Sequence, residues 1–339
     1  GWMNTSAFGV IDVAKQEFVG AVLVDEPDRG AAGIWSIACD DKHIFITHSG
    51  THEVSVIDHP AMLAKFESYK DKSRLDYDLN FLYGLRERVT LQGNGPRNFI
   101  FSGDKLIIPT YFADILNTVD INTLEVTATD MNPGRTETPE NKGEKYFNDA
   151  NHCYQGWQSC NGCHPGDART DGMNWDLMND GVGNSKNCKS MLYSHVTPPS
   201  MISGVRESAE YAVRAGFKFI QFFEPEEEMA KCVDAYMKSL RPVPSPYLVN
   251  GELSDKAKEG RKVFEKLKCG ECHSGPYYTD MKMYRIGEDI EFEKGWDTPT
   301  LIEVWRTAPY LFDGRAATME EVFEVHKHGI DKKVSKKDI

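Results

Sequence analysis

The stretch LSDKAKEGRKVFEKLKCGECH, residues 253–273, decides how the C-terminal half is read. Ser254 is an N-cap residue, and Leu253, Ala257, Gly260, Phe264 and Leu267 recur at steps of four and three, which predicts an amphipathic helix. That helix runs straight into Cys269-Gly-Glu-Cys272-His273. The same five-residue pattern stands once more as Cys160-Asn-Gly-Cys163-His164, so four of the eight cysteines fall in two C-x-x-C pairs, each followed at once by histidine.

Such a spacing has a chemical reason. Two thiols three positions apart on one turn reach the two vinyl groups of one porphyrin, and the next residue presents its imidazole to the iron. The expectation is two covalently attached c-type haems, held by Cys160, Cys163 and His164 and by Cys269, Cys272 and His273. A redox dithiol, or one zinc site shared by four cysteines, is the other use of C-x-x-C. It gives neither histidine a role.

Outward from the motifs the chain changes character. The first 130 residues read as short β-branched strands separated by turn residues. They repeat: Gly33, Ile37, Ile44, Val54 and Asp58 return as Gly95, Phe99, Leu106, Leu116 and Asp120, 62 positions on. Repeated short strands point to propeller-like blades, too few here to close. The charged segment 65–88 reads as an insertion with some helix, and residues 131–145 as a linker. Further on, Glu226 to Leu240 shows a helical apolar face, the three prolines of 241–247 mark a boundary, and Thr318 with Glu321 has capping-box spacing. The expected fold is therefore multidomain: an N-terminal all-β region of propeller-like blades (1–135), then two mainly α-helical cytochrome c domains (136–246 and 247–339).

The formal charge of −13 and the lack of a basic stripe argue against nucleic-acid binding. No apolar run reaches the length of a membrane span. No signal peptide is visible, but Gly1-Trp2-Met3 reads as a trimmed start, so this carries little weight.

The flanks of the motifs carry a resemblance. FNDANHCYQGWQSCNGCHPGDARTDGMNWDLMNDGVGN (147–184), SMLYSHVTPPSMISGVRE (190–207) and TAPYLFDGRAATMEEV (307–322) resemble bacterial di-haem cytochromes of the cytochrome c peroxidase superfamily and their methylamine-utilisation relatives. The front part resembles, on weaker motifs, surface-layer-type β-propellers. The resemblance implies electron transfer with peroxide as a substrate, a small redox protein or quinol-linked donor, a calcium ion, and an exported, periplasmic or cell-surface location. It implies a last helix after His328-Gly329 that this chain is expected to lack, as a piece of a longer protein. The acidic residue that peroxidases place above the haem is not identified; Glu224 and Glu226 to Glu228 read as a solvated helix start. A different class of function is a surface or binding protein whose blades hold a partner.

A sixth iron ligand separates electron carriers from open, reactive centres. His195, in a loop before Thr197-Pro198-Pro199, is the candidate for the first centre. Met283 and Tyr284, in a loop after the motif, lead for the second, ahead of Met281, Met319, His326 and His328. Arg206, Arg306 and Arg315 are candidates for haem propionates or for ion pairs with Asp313 and Glu303. Trp157, Trp175 and Trp305 serve as electron paths or core. Asp171, Asp176 and Asp180 lie in the loop where calcium would sit. Cys153 with Cys188 is the expected disulfide, Cys232 a buried thiol, and His48 and His52 surface residues.

Overall fold

A computed structural model describes residues 5–176, 181, 183, 185–286, 293–330, 335 and 338–339. Two compact units divide the chain: Gly1–Gly162 with Gln221–Cys232, and Cys163–Ile220 with Val233–Ile339.

The first unit is built of antiparallel strands. β1 (Ala7–Asp12) and β2 (Glu17–Leu23) form a hairpin. β3 (Ile34–Cys39), β4 (His43–His48), β5 (Glu53–Asp58) and β6 (Arg86–Thr90) form a four-stranded meander. β7 (Ile100–Ser102), β8 (Lys105–Pro109), β9 (Ile115–Asp120) and β10 (Val126–Asp130) form another. The 62-residue repeat is visible in the starts of β4 and β8, and of β5 and β9. Strand alternation builds two cores from one strand. Ile44 and Ile46 of β4 join Val22, Ile57, Met62, Phe66, Leu75 and Phe81. Phe45, pointing the other way, joins Val54, Val56 and Val89 of its own sheet and Leu106, Ile108 and Val119 of the next. The insertion between β5 and β6 supplies Met62 and Phe66 from helix His59–Ser68, whose N-cap Asp58 accepts from Ala61 N at 2.9 Å.

The second unit is an internal duplication. Its two halves correspond at 109–110 positions. The strand pair Asn174–Trp175/Lys186–Asn187 matches Met283–Tyr284/Trp296–Asp297. The turns Ser194–Val196 and Val304–Arg306 are followed by loops closed by the bridges Ser200↔Arg206 and Tyr310↔Ala316. Helices Ala209–Ala215 and Met319–Glu324 come next. The halves are cross-laced. Asn187 N donates to Phe312 O at 2.7 Å, and Asp297 N donates to Ile202 O at 3.0 Å. Gly204 (φ +61°) lies where an added Cβ would come within 2.6 Å of Met283 Sδ, and Gly314 (φ +68°) where it would come within 2.9 Å of Asn174 Oδ1. Each half thus packs its strand pair against the other's loop.

Several expectations need correction. The fold is not propeller-like blades followed by two mainly helical domains. Among the described residues the sheets are small and open, none closes, and only two have four strands. Those two share the Phe45 core. Nor are the motif-bearing segments mainly helical: Pro, Gly, Asn and Asp break them into turns, two-residue strand pairs and short helices. The longest helices are Glu227–Ser239 and Asp255–Lys266, the latter capped by Ser254 as expected, with Oγ accepting from Ala257 N. The linker is helical in its second part, Pro139–Asn148, because Thr138 caps it and Pro139 opens it. His48 and His52 are buried, not surface residues: β4 has core on both faces, and His48 bonds Ala31 O at 2.9 Å and Ser55 Oγ at 2.7 Å. All eight cysteines are free, so Cys153 and Cys188 are not paired. Cys153 packs with Leu23, Leu79 and Trp157.

Candidate functional site

Cys160–Cys163 forms one helical turn, and Cys269–Glu271 a tighter one. The motif histidines that follow are held alike. His164 Nδ1 lies 3.2 Å from Arg169 O, and His273 Nδ1 lies 3.1 Å from Tyr278 O. A carbonyl only accepts, so these contacts favour the tautomer with the proton on Nδ1; His164 Nε2 also lies 3.9 Å from Cys188 Sγ. Burial lowers both imidazoles below their ordinary range, keeping them neutral. A neutral imidazole with Nε2 free is the form that binds a metal. The thiols go the other way: burial pushes Cys160 up to about 12 and raises Cys269 and Cys272. Reactive dithiols and zinc thiolates need lowered values. Among the described residues no group of three or more His, Cys, Asp or Glu is gathered for a metal ion. The donor set therefore fits covalent haem attachment better than zinc or dithiol chemistry.

Anchoring threonines complete the likeness. Thr170 Oγ1 donates to Cys188 O and Thr279 Oγ1 to Thr298 O, each at 2.6 Å. Cys188 stands where the other half has Thr298. Its Sγ lies 3.5 Å from His164 Nδ1, and burial pushes the thiol up to about 12.

The expected sixth ligands fall differently. His195 is engaged: Nε2 lies 3.0 Å from Asp234 Oδ1, and Arg214 Nη1 lies 2.7 Å from Asp234 Oδ2. At its equivalent in the other half stands Trp305. Met283 Sδ rests beside Gly204 and so belongs to the cross-lacing of the halves. Tyr284 OH donates to Asp280 at 2.6 Å, which raises it to about 12. His328, low among the candidates, is the ring brought to the second motif: its centre is 6.3 Å from that of His273, at 45°. At that distance both rings could donate to one metal ion between them. Duplication was the missed signal, since it shows that the position equivalent to His328 in the first half is Lys218.

Arg306 pairs with Glu303 (2.6 Å) and Arg315 with Asp313 (2.6 Å), while Arg206 lies over the Phe219 ring. Glu303, 1% exposed at its side chain, also receives Arg169 Nε at 2.7 Å. Burial works to raise its carboxyl, but bonds from Arg169, Val243 N and Arg306 hold it below the usual range. Trp157 is core, and Trp175 Nε1 donates to Asp171 Oδ2 at 3.0 Å. In the loop read for calcium, Asp180 lies outside the described residues. Glu228 pairs with Lys231 on the surface. Among the described residues no helix is long and apolar enough to cross a membrane.

No family model matches the chain. Hydrazine synthase subunit gamma of Kuenenia stuttgartiensis is 27% identical over 236 residues, 52% of this chain and 66% of that protein, just under two thirds of its length. A structure of Kuenenia stuttgartiensis hydrazine synthase under 20 bar xenon shares the fold over 58% of this chain and 81% of that one, at 24% identity and a TM-score of 0.51. A MauG-like protein associated with microbial copper homeostasis covers 62% of this chain and 80% of its own, at 18% identity and a TM-score of 0.45. With the two motifs, the relation to the synthase subunit supports a di-haem, cytochrome c-related protein with a haem-binding redox role.

Proposed function

We propose that the chain is a two-centre redox protein whose centres differ: a six-coordinate electron relay at His273 and His328, and a reactive centre at His164. A bound haem supplies a one-electron iron couple at each motif. The residues set what each couple does. His273 and His328, both half-buried and with their imidazoles lowered by that burial, would hold one iron between them, a ligand set suited to passing electrons. At the first motif His164 would be the donor, and His195, held by Asp234, would not be needed as a second one, so a haem bound there would supply a site for a small molecule. Hydrogen peroxide is the substrate to try first, with a small redox protein or quinol-linked donor as electron source. The relative is named as a subunit of a synthase, which favours a chain working beside partners. Covalent attachment favours an exported protein.

The observation that carries this reading is the 6.3 Å spacing of His273 and His328. In the haem-loaded protein, electron paramagnetic resonance should show one low-spin and one high-spin ferric centre. His328→Ala should turn the low-spin signal high-spin, and His195→Ala should leave that signal in place. An unchanged spectrum in His328→Ala overturns the assignment.

A further inference from the structure

Arg97, on the connection from β6 to β7, is held in an unusual way for an arginine in a chain with 52 acidic residues. Its guanidinium carbon lies 4.0 Å from the ring centre of Trp35, 3.5 Å from that of Tyr111 and 5.5 Å from that of Phe112. Its Nε is buried with no hydrogen-bond partner, and it makes no ion pair among the described residues. Neighbouring Arg86 and Arg88 each bind a carboxylate.

The surroundings are built to hold it. Trp35 sits at a shift of register between Ile34 and Ser36, a bulge that re-aims a side chain out of the strand's alternation. Gly95 (φ +71°) lies so close to the Phe112 ring that an added Cβ would be 2.4 Å away. Thr47 Oγ1 donates to Arg97 O at 2.6 Å and accepts from Ser36 N at 3.2 Å, tying the arginine to the strand that carries Trp35. Tyr111 N donates to Gly95 O at 2.9 Å. The rings nevertheless remain partly open, Trp35 46% and Tyr111 52% exposed.

We propose that Trp35, Arg97 and Tyr111 form a docking site for a carboxylate on another polypeptide. Ring stacking engages the guanidinium's faces and Nε is buried, which leaves the N–H donors of the two Nη nitrogens, whose fork matches a carboxylate. Fixing that fork beforehand reduces the ordering lost on binding. Half-exposed Trp and Tyr supply apolar area beside the charge, the composition of an interface centre rather than of a site for a free ion. The partner is therefore an acidic side chain flanked by apolar residues.

The test uses the full haem-loaded chain and two peptides, one with glutamate between leucines and its glutamine counterpart, followed by calorimetry and the Arg97 Nε–H resonance. The glutamate peptide should bind at least tenfold more tightly and shift that resonance. Arg97→Gln should lose the preference, and Arg97→Lys, which keeps charge without the planar fork, should weaken binding severalfold with unchanged circular dichroism. Equal binding of both peptides, or wild-type binding by Arg97→Gln, overturns the proposal. So does an equal response to acetate alone, which would make this a small-anion site.

Discussion

At the residue scale, His48 shows how a sequence misleads about polarity. Flanked by Ser49 and Gly50, it reads as a turn residue, yet it is fully buried, and burial lowers it to about 4. The folded value lies below the ordinary 6.5, so between these values the unfolded chain binds a proton that the folded chain refuses. Stability therefore rises as pH climbs from about 4 to 6.5, by about 3 kcal/mol for this group. Asp25 acts oppositely: burial raises it to about 6, so its ionisation costs stability over the range in which His48 gains it. Denaturant melts of Asp25→Asn should expose the steeper acid loss, and adding His48→Gln should flatten it. An unchanged pH slope in the double variant removes His48 as the cause. Neither environment was legible in the sequence, because the core on the His48 face of β4 is assembled from β2, the Ala31 turn and the insertion after β5, which are distant in the chain. The motif histidines are read from the cysteines beside them in the chain, a local signal that needs no knowledge of the fold.

Among the elements, the strands were read well and their assembly poorly. Period-two patterning and the repeat located β4, β5, β8 and β9, since both are local. How sheets pack is not local, and a repeat fits open sheets as well as a closed ring. In the second unit the obstacle was different: two-residue strand pairs have no pattern, and the duplication shows only in the matched spacing of the two C-x-x-C-H motifs and of Thr197-Pro198-Pro199 and Thr307-Ala308-Pro309. The Gly204 cradle gives this a measurable form. Gly204→Ala meets Met283 Sδ and keeps a backbone with φ +61°. The thioether can swing aside but the backbone cannot, so the loss should be about 1–2 kcal/mol. Adding Met283→Ala should restore less than half of it in thermal melts. Full restoration would show that contact, not backbone strain, sets the cost.

For the whole second unit, Glu303 ties distant parts of the chain: Arg169 from the first half, Arg306 beside it, and Val243 from the proline-rich segment between the halves. Removing one partner of a buried pair leaves the other charge stranded, at about 3–5 kcal/mol. Glu303→Gln should lower the midpoint for both halves together. Loss confined to one half, read by hydrogen exchange, would mean the ties are independent. Proline and charge patterns in the sequence marked these segments as boundaries; the ion pairs make them joints.

The cross-lacing of the halves also sets an order in time. Asn187 Nδ2 donates to Pro309 O, 122 positions later. At 5–20 residues per second, the ribosome needs roughly 6 to 24 s to supply that acceptor. Throughout that interval the strand pair and loop of the first half stand without their counterparts.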